Sequence, residues 1–297
     1  MERRPGPRYG RRMGTAARPV GDFFREWRQR RRLSQLELAL KADVSARHLS
    51  FVETGRSRPS REMLLQLAEQ LEVPLRDRNQ LLLAAGYAPV FPERSLADPA
   101  LQSARKAVDL VLAGHQPYPA LAIDRRWTLV ASNNAVAPLL AGVDPALLAP
   151  PVNVLKLSLH PAGVAPRIAN FTEWRAHLLA RLRRDIDISA DPVLVELLDE
   201  LRGYPCAGSG AEGPGTGEHQ LAGVVVPFRL KTEGGVLSFF STTTIFGTPL
   251  DVTLSELAIE SFFPADAETA ERLRRIAEHE CQDDGVLNHS GFSFSRG

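Results

Sequence analysis

Between Ser45 and Arg56 the chain places donors and cations at a spacing suited to reading nucleic acid. Leu49 and Val52, three residues apart, can anchor one side of a short helix while Ala46, Arg47, Ser50 and Phe51 face outward. A helix of that kind can enter a major groove, where side-chain donors bond base edges and phosphates. Arg56, Arg58 and Arg61 follow at once and extend the positive charge past the helix. No comparable constellation suggests catalysis. Gly208 to Gly213 match G-x-G-x-x-G, but Pro205 and Cys206 precede them and Pro214 follows, so the strand and helix that phosphate binding needs are missing. His279, Glu280 and Cys281 have no second ligand pair at zinc spacing. No serine elbow or Cys–His pair stands out. No catalytic residue, metal ligand or cofactor is therefore expected, and the chain does not read as an enzyme.

The outward residues need a scaffold, and caps supply its outline. Ser34-Gln35-Leu36-Glu37 is a capping box that opens a helix in which Leu36, Ala39 and Leu40 recur at helical spacing. A turn at Asp43 and Val44 leads to Ser45 as the next N-cap, and Gly55 suits the helix end because it accepts positive φ. A helix from about Asp22 to Arg32 precedes this pair, with Phe23, Phe24 and Trp27 on its apolar face. Ser60 caps a fourth helix that runs to Pro74, and a fifth spans about Leu75 to Ala85. Five short helices between Gly21 and Tyr87 form one compact unit.

The pattern then changes. Residues 89–100 are proline-punctuated, and a helix over about 101–113 carries Leu101, Ala104, Val108 and Val111 on one side. Pro119–Asp124 and Thr128–Ser132 read as a hairpin. Helices are expected at Phe171–Arg184, Asp191–Leu201 and Asp266–Glu280, and three strands at Gln220–Leu230, Gly235–Thr242 and Thr244–Val252. The fold class is therefore α+β, with an all-α head and a mixed second region of about five strands.

Composition agrees with two globular units. The chain has 297 residues, and at roughly 150 per domain that length favours two domains. Hydrophobic residues make up 44% and charged residues 24%, which excludes wholesale disorder and collagen-like chains. The net charge of +1 conceals a split: residues 1–95 hold 19 Lys and Arg against 11 Asp and Glu, a net +8, whereas residues 96–297 hold 17 against 24, a net −7. A basic head on an acidic body points to an anionic partner for the head. Cys206 and Cys281 cannot form a disulfide framework, so a reducing compartment is expected. The Arg-rich start lacks the apolar stretch of a secretory signal, and no apolar run reaches the ~18 residues of a membrane span.

The stretch from 20 to 87, with its Ser34–Ala39 and Val44–Arg56 tracts, resembles the XRE-type, lambda-repressor-like (Cro/C1) helix-turn-helix domain. The resemblance implies that Gln35 bonds a phosphate and that Ala46, Arg47, His48 and Phe51 face base edges, with Ser45 and Ser50 beside them. It implies that Arg56, Arg58 and Arg61 reach backbone phosphates and that Arg28 and Glu53 form a buried ion pair. Asp43 stands where relatives often have Gly, and Asp tolerates left-handed geometry. The tracts Trp127–Ala135 and Asn153–Leu157, with Trp174 in an Arg-rich helix, are similar to the MmyB-like ligand-binding domain, which has a PAS-like fold. That resemblance implies a small, partly apolar, fatty-acid-like ligand. An elongated ligand of that type needs an apolar slot and a few polar or cationic groups for its head, for which Asn133, His160, Arg167, Trp174, His177 and Arg181 are the candidates.

The expected organisation is a flexible basic arm (1–19), a DNA-binding domain (20–88), a linker and connecting helix (89–118), a sensor domain (119–280) and a disordered tail (281–297). The expected partners are a pseudo-palindromic double-stranded DNA operator and a second copy of the chain, with no membrane, in a bacterial cytoplasm at the nucleoid. A second region that only dimerises or binds another protein, without a small molecule, is the alternative.

Overall fold

The computed structural model describes residues 18–205, 226–247 and 249–283. Most of the basic arm, the Gly208–Gly213 tract and the tail from 284 lie outside the described residues, as do the side chains of His279, Glu280 and Cys281. Two compact units divide at Phe91/Pro92.

The first unit is all helical: α1 (Val20–Arg30), α2 (Gln35–Lys41), α3 (Ala46–Glu53), α4 (Arg61–Gln70) and α5 (Leu75–Ala84). Serine caps start three of them. Ser34 and Glu37 form the reciprocal capping box, the Ser45 hydroxyl accepts from the His48 amide, and the Ser60 hydroxyl accepts from the Met63 amide. Asp43 turns the chain between α2 and α3 at φ 49°, a left-handed conformation that Asp adopts more readily than most residues. The core collects Phe24, Trp27, Leu38, Leu49, Val52, Leu64, Leu67, Leu71, Leu81 and Leu82. The apolar face read for α2 needs correction. Leu36 is 60% and Leu40 74% exposed, and the buried residues are Leu38, Ala39 and Ala42. Leucine count alone did not decide the face; contact with α3 and α4 did. Gly21 lets α1 approach α3, since a Cβ there would stand 2.5 Å from the Val52 carbonyl oxygen.

The second unit is built on one antiparallel sheet. In chain order it contains α6 (Gln102–Gly114), β1 (Ala120–Ile123), β2 (Leu129–Ser132), α7 (Pro145–Leu148), α8 (Val154–Leu159), α9 (Phe171–Ser189) and α10 (Pro192–Gly203). There follow β3 (Phe228–Thr232), β4 (Gly235–Ile245), α11 (Val252–Ser255), β5 (Ala258–Pro264) and α12 (Ala267–Asp283). The strand order is β2-β1-β5-β4-β3. The larger core joins α8, α9 and α10 to Leu230, Leu237 and Phe239 of the sheet. A smaller core packs Val108 and Leu112 of α6 against Ala120, Ala122, Leu257 and Ile259. On α6 the inward residues are Val108 and Leu112, and Val111 is 45% exposed.

One strand was misplaced by the sequence pattern. Of Thr244–Val252 the first two residues end β4 and the last opens α11, whereas the fifth strand is β5, which pairs β1 on one side and β4 on the other. Residues from β5 enter both cores, Ile259 the smaller and Ala258 and Phe262 the larger. A central strand covered on both faces lacks the polar–apolar alternation by which strands are found.

Candidate nucleic-acid interface and ligand cavity

In the helical unit the geometry of α3 is set from behind. Glu53, at its C-terminal end, is fully buried and holds the Arg28 guanidinium in a two-point contact, Nε to Oε1 at 2.6 Å and Nη2 to Oε2 at 2.9 Å. Gln35 donates to the same carboxylate at 2.8 Å, and Arg25 donates to the Glu53 carbonyl at 3.1 Å. Burial alone would push the Glu53 carboxyl up, but the bonds from Arg28 and Gln35, with the charges of Arg28 and Arg25, outweigh it and hold the carboxyl below its ordinary value. One acid thereby ties α1 and α2 to α3. Gln35, read as a phosphate donor, gives one N–H of its side-chain amide to this network.

In front, Ser45, Arg47 and His48 are exposed, and Ala46, Ser50 and Phe51 are half-buried. Arg47 lies over the Phe51 ring, 5.5 Å from its centroid, which keeps the guanidinium extended along the helix surface. Arg56 and Arg61 are exposed as well, and among the described residues no carboxylate forms an ion pair with Arg47 or Arg56. Arg58 is differently placed. Its guanidinium donates to the Ala85 carbonyl at the end of α5 and lies over Tyr87, so it fastens the loop after α3 to α5. From the sequence, nothing distinguished Arg58 from Arg56.

The sheet unit contains a cavity of about 110 Å³ between the sheet, α8 and α9. Its wall is mostly Leu, Val, Trp and Phe, with Leu129, Leu155, Trp174, Leu178, Phe228 and Phe262 among them. Among the described residues the polar side chains on it are Ser158, Ser241, Arg181 and Glu260. Arg181 meets Glu260 in a two-point contact, Nη2 to Oε1 at 2.6 Å and Nη1 to Oε2 at 3.2 Å. Thr243 braces both partners: its oxygen accepts from Arg181 at 3.1 Å and its hydroxyl donates to Glu260 at 2.7 Å. The guanidinium also lies 4.8 Å from the centroid of the Trp127 ring, whose Nε1 donates to Asp185 at 3.0 Å. Burial raises the Asp185 carboxyl above its ordinary value, against the opposing effects of the Trp127 bond and of Arg181 and Arg184. Trp174 donates through Nε1 to the Ser158 hydroxyl at 3.1 Å.

Of the six ligand candidates, Trp174 and Arg181 line the cavity and the other four do not. Asn133 is buried as a staple: its Oδ1 accepts from the Ala120 amide while its Nδ2 donates to the Leu112 and Tyr118 carbonyls. His160 caps its own loop, its Nδ1 accepting from the Ala162 amide. Arg167 donates to the Leu139 carbonyl. His177 stacks on Trp174, and its imidazole is held below its ordinary value by burial and then by Arg181 and Arg184. Glu260 and Ser158 went unnoticed. A signal for Glu260 did exist, because it is the one charge inside the apolar run Ala258–Phe263.

A family model for the MmyB-like transcription regulator ligand binding domain matches residues 104–276, and a helix-turn-helix model matches residues 24–77. No curated protein matches the chain. Among solved structures, an RNA-binding light-oxygen-voltage receptor is similar at 13% identity with a TM-score of 0.25, over 89% of this chain. The chain spans 64% of the length of that receptor chain.

Proposed function

The chain belongs to the family of MmyB-like transcription regulators, with an XRE-type helix-turn-helix at its N-terminus, and from that premise we propose that it reads a specific DNA sequence as a dimer under control of a small apolar ligand. That it is a DNA-binding transcription regulator follows from the two domains together. The observation that carries the specific reading is α3, with Arg47 and His48 exposed in front and Glu53 locked to Arg28 behind. Such a helix arrives at the duplex with its orientation already fixed. Arg47 bonds a guanine edge, Ser45 and Ser50 lie beside it, and Arg56 and Arg61 position the domain on phosphates. One recognition helix reads only a few base pairs, so two copies bind a pseudo-palindrome with half-sites about one turn apart, ~34 Å. No reaction is assigned to it. It acts in the bacterial cytoplasm, at the nucleoid.

The sheet unit is a PAS-like sensor in this reading, and its apolar cavity holds a ligand of fatty-acid-like length. The ligand shifts DNA affinity only as far as it binds one state of the dimer better than the other. The test is site selection from random duplexes. Arg47→Ala costs about 1–3 kcal/mol on the preferred site and relaxes preference at one base position. An unchanged base preference sinks the assignment of α3.

A further inference from the structure

We propose that the cavity selects an uncharged ligand, a medium-length alkyl compound headed by a hydroxyl or carbonyl oxygen, and turns away the matching carboxylate. The proposal rests on the apolar-ligand reading above and concerns the charge of the head group. Among the described residues the charged groups on the wall are one cation and one anion, Arg181 and Glu260, and they already neutralise each other at 2.6 Å. The Glu260 side chain is only 5% exposed and the Arg181 side chain 19%, so the acid rests against its partner and not in bulk water. Three of the five N–H donors of Arg181 are committed, two to Glu260 and one to Thr243. A ligand carboxylate at Arg181 would share one guanidinium with Glu260, leaving a second negative charge buried against a Leu, Val and Trp wall. Burying a charge without its own partner is among the costliest changes a protein site can make.

An uncharged oxygen meets no such obstacle. The Ser158 oxygen accepts from Trp174, which leaves its own O–H to donate, and Ser241 presents a second hydroxyl on the same wall. Hydroxyl donors of this kind suit a carbonyl or alcohol oxygen and supply no counter-charge. Size points to a modest chain: 110 Å³ at roughly 10–15 Å³ per water-sized site admits about seven to eleven non-hydrogen atoms.

1-Octanol and octanoate fit that range and differ in head charge at pH 8, where the acid is ionised. Titration calorimetry on the full chain should find octanol bound at least about tenfold more tightly than octanoate, and Glu260→Gln, which frees the Arg181 charge, should reverse the order. Octanoate bound as well as octanol by the unaltered protein would overturn the proposal while leaving the apolar-ligand reading intact. Binding of neither would overturn that reading and the proposal with it. Should Glu260→Gln fail to fold, the unaltered protein still decides the order, and Ser158→Ala must then weaken octanol several-fold; an unchanged octanol affinity would overturn the assigned head site.

Discussion

Two arginine–carboxylate pairs of nearly the same geometry do different things in the two units of this molecule. Arg28–Glu53 and Arg181–Glu260 are both two-point contacts with a shortest distance of 2.6 Å. The first is sealed. Arg28 also donates to the Leu33 carbonyl, Gln35 completes the carboxylate, and helices α1, α2 and α3 close around it. The second borders an apolar cavity on one side. A sealed pair has one consequence, the fixed setting of α3 against α1 and α2. A pair on a cavity wall also sets the charge that the cavity accepts. The chemistry of an ion pair is thus a poor guide to its role until its surroundings are known.

Breaking the two pairs in the same way sharpens the contrast. Glu53→Gln leaves the half-buried Arg28 without its countercharge and should destabilise the helical unit by about 3–5 kcal/mol, read by denaturant unfolding at Trp27, which is buried in that unit. Glu260→Gln should cost distinctly less in the sheet unit, because water admitted to the cavity can reach the freed guanidinium; equal losses would erase the distinction between a sealed pair and an open one. Next in size, Asn133→Ala strands the backbone groups of Ala120, Leu112 and Tyr118. It should cost the sheet unit about 1–3 kcal/mol and leave any ligand preference untouched, whereas a changed preference would restore Asn133 to the site.

Mild acid should separate the units more gently. His177 has a folded pKa below its ordinary 6.5, chiefly from burial. The unfolded chain therefore takes up that proton first, and stability present above pH 6.5 is lost as the pH falls toward the lowered value. Glu53 is also lowered, from 4.5, so its contribution is lost only below pH 4.5. Asp185, raised from 3.8, acts in the opposite sense, gaining stability as it protonates. Between pH 7 and 6, amide protection factors, which allow for the slower intrinsic exchange at lower pH, should fall in the sheet unit alone, and His177→Gln should remove the effect. The smallest change belongs to the exposed pair on α2: Leu36→Ser with Leu40→Ser should shift helical-unit stability by no more than about 1 kcal/mol, and a larger loss would put those leucines back in the core.

The helical unit was legible because its signals are local. A capping serine and its acid lie three residues apart, α3 is bounded by Ser45 and Gly55, and the resemblance placed Arg28 opposite Glu53. The sheet unit was less legible where residues act through distant partners. Strand β5 escaped notice because it is covered on both faces, and Glu260 escaped with it. His160, Arg167 and Asn133 drew notice as polar or cationic groups for a ligand's head, but each is bonded to backbone groups. Arg58 and Arg56 sit two positions apart, and only the nearby Ala85 carbonyl separates their roles.

By itself the sequence determined the capped helices, the outward Arg47 of α3, the charge difference between the two halves and the α+β class. These depend on residue type and short spacing, which do not change when the chain folds. Only the tertiary structure decided which strand is central, which leucines of α2 are covered, and which two of six candidate side chains meet a cavity. It also brought Arg181 to Glu260 across 79 residues of chain. Such pairings exist only after the sheet has assembled, because burial and partner are properties of the packed whole and not of any one segment.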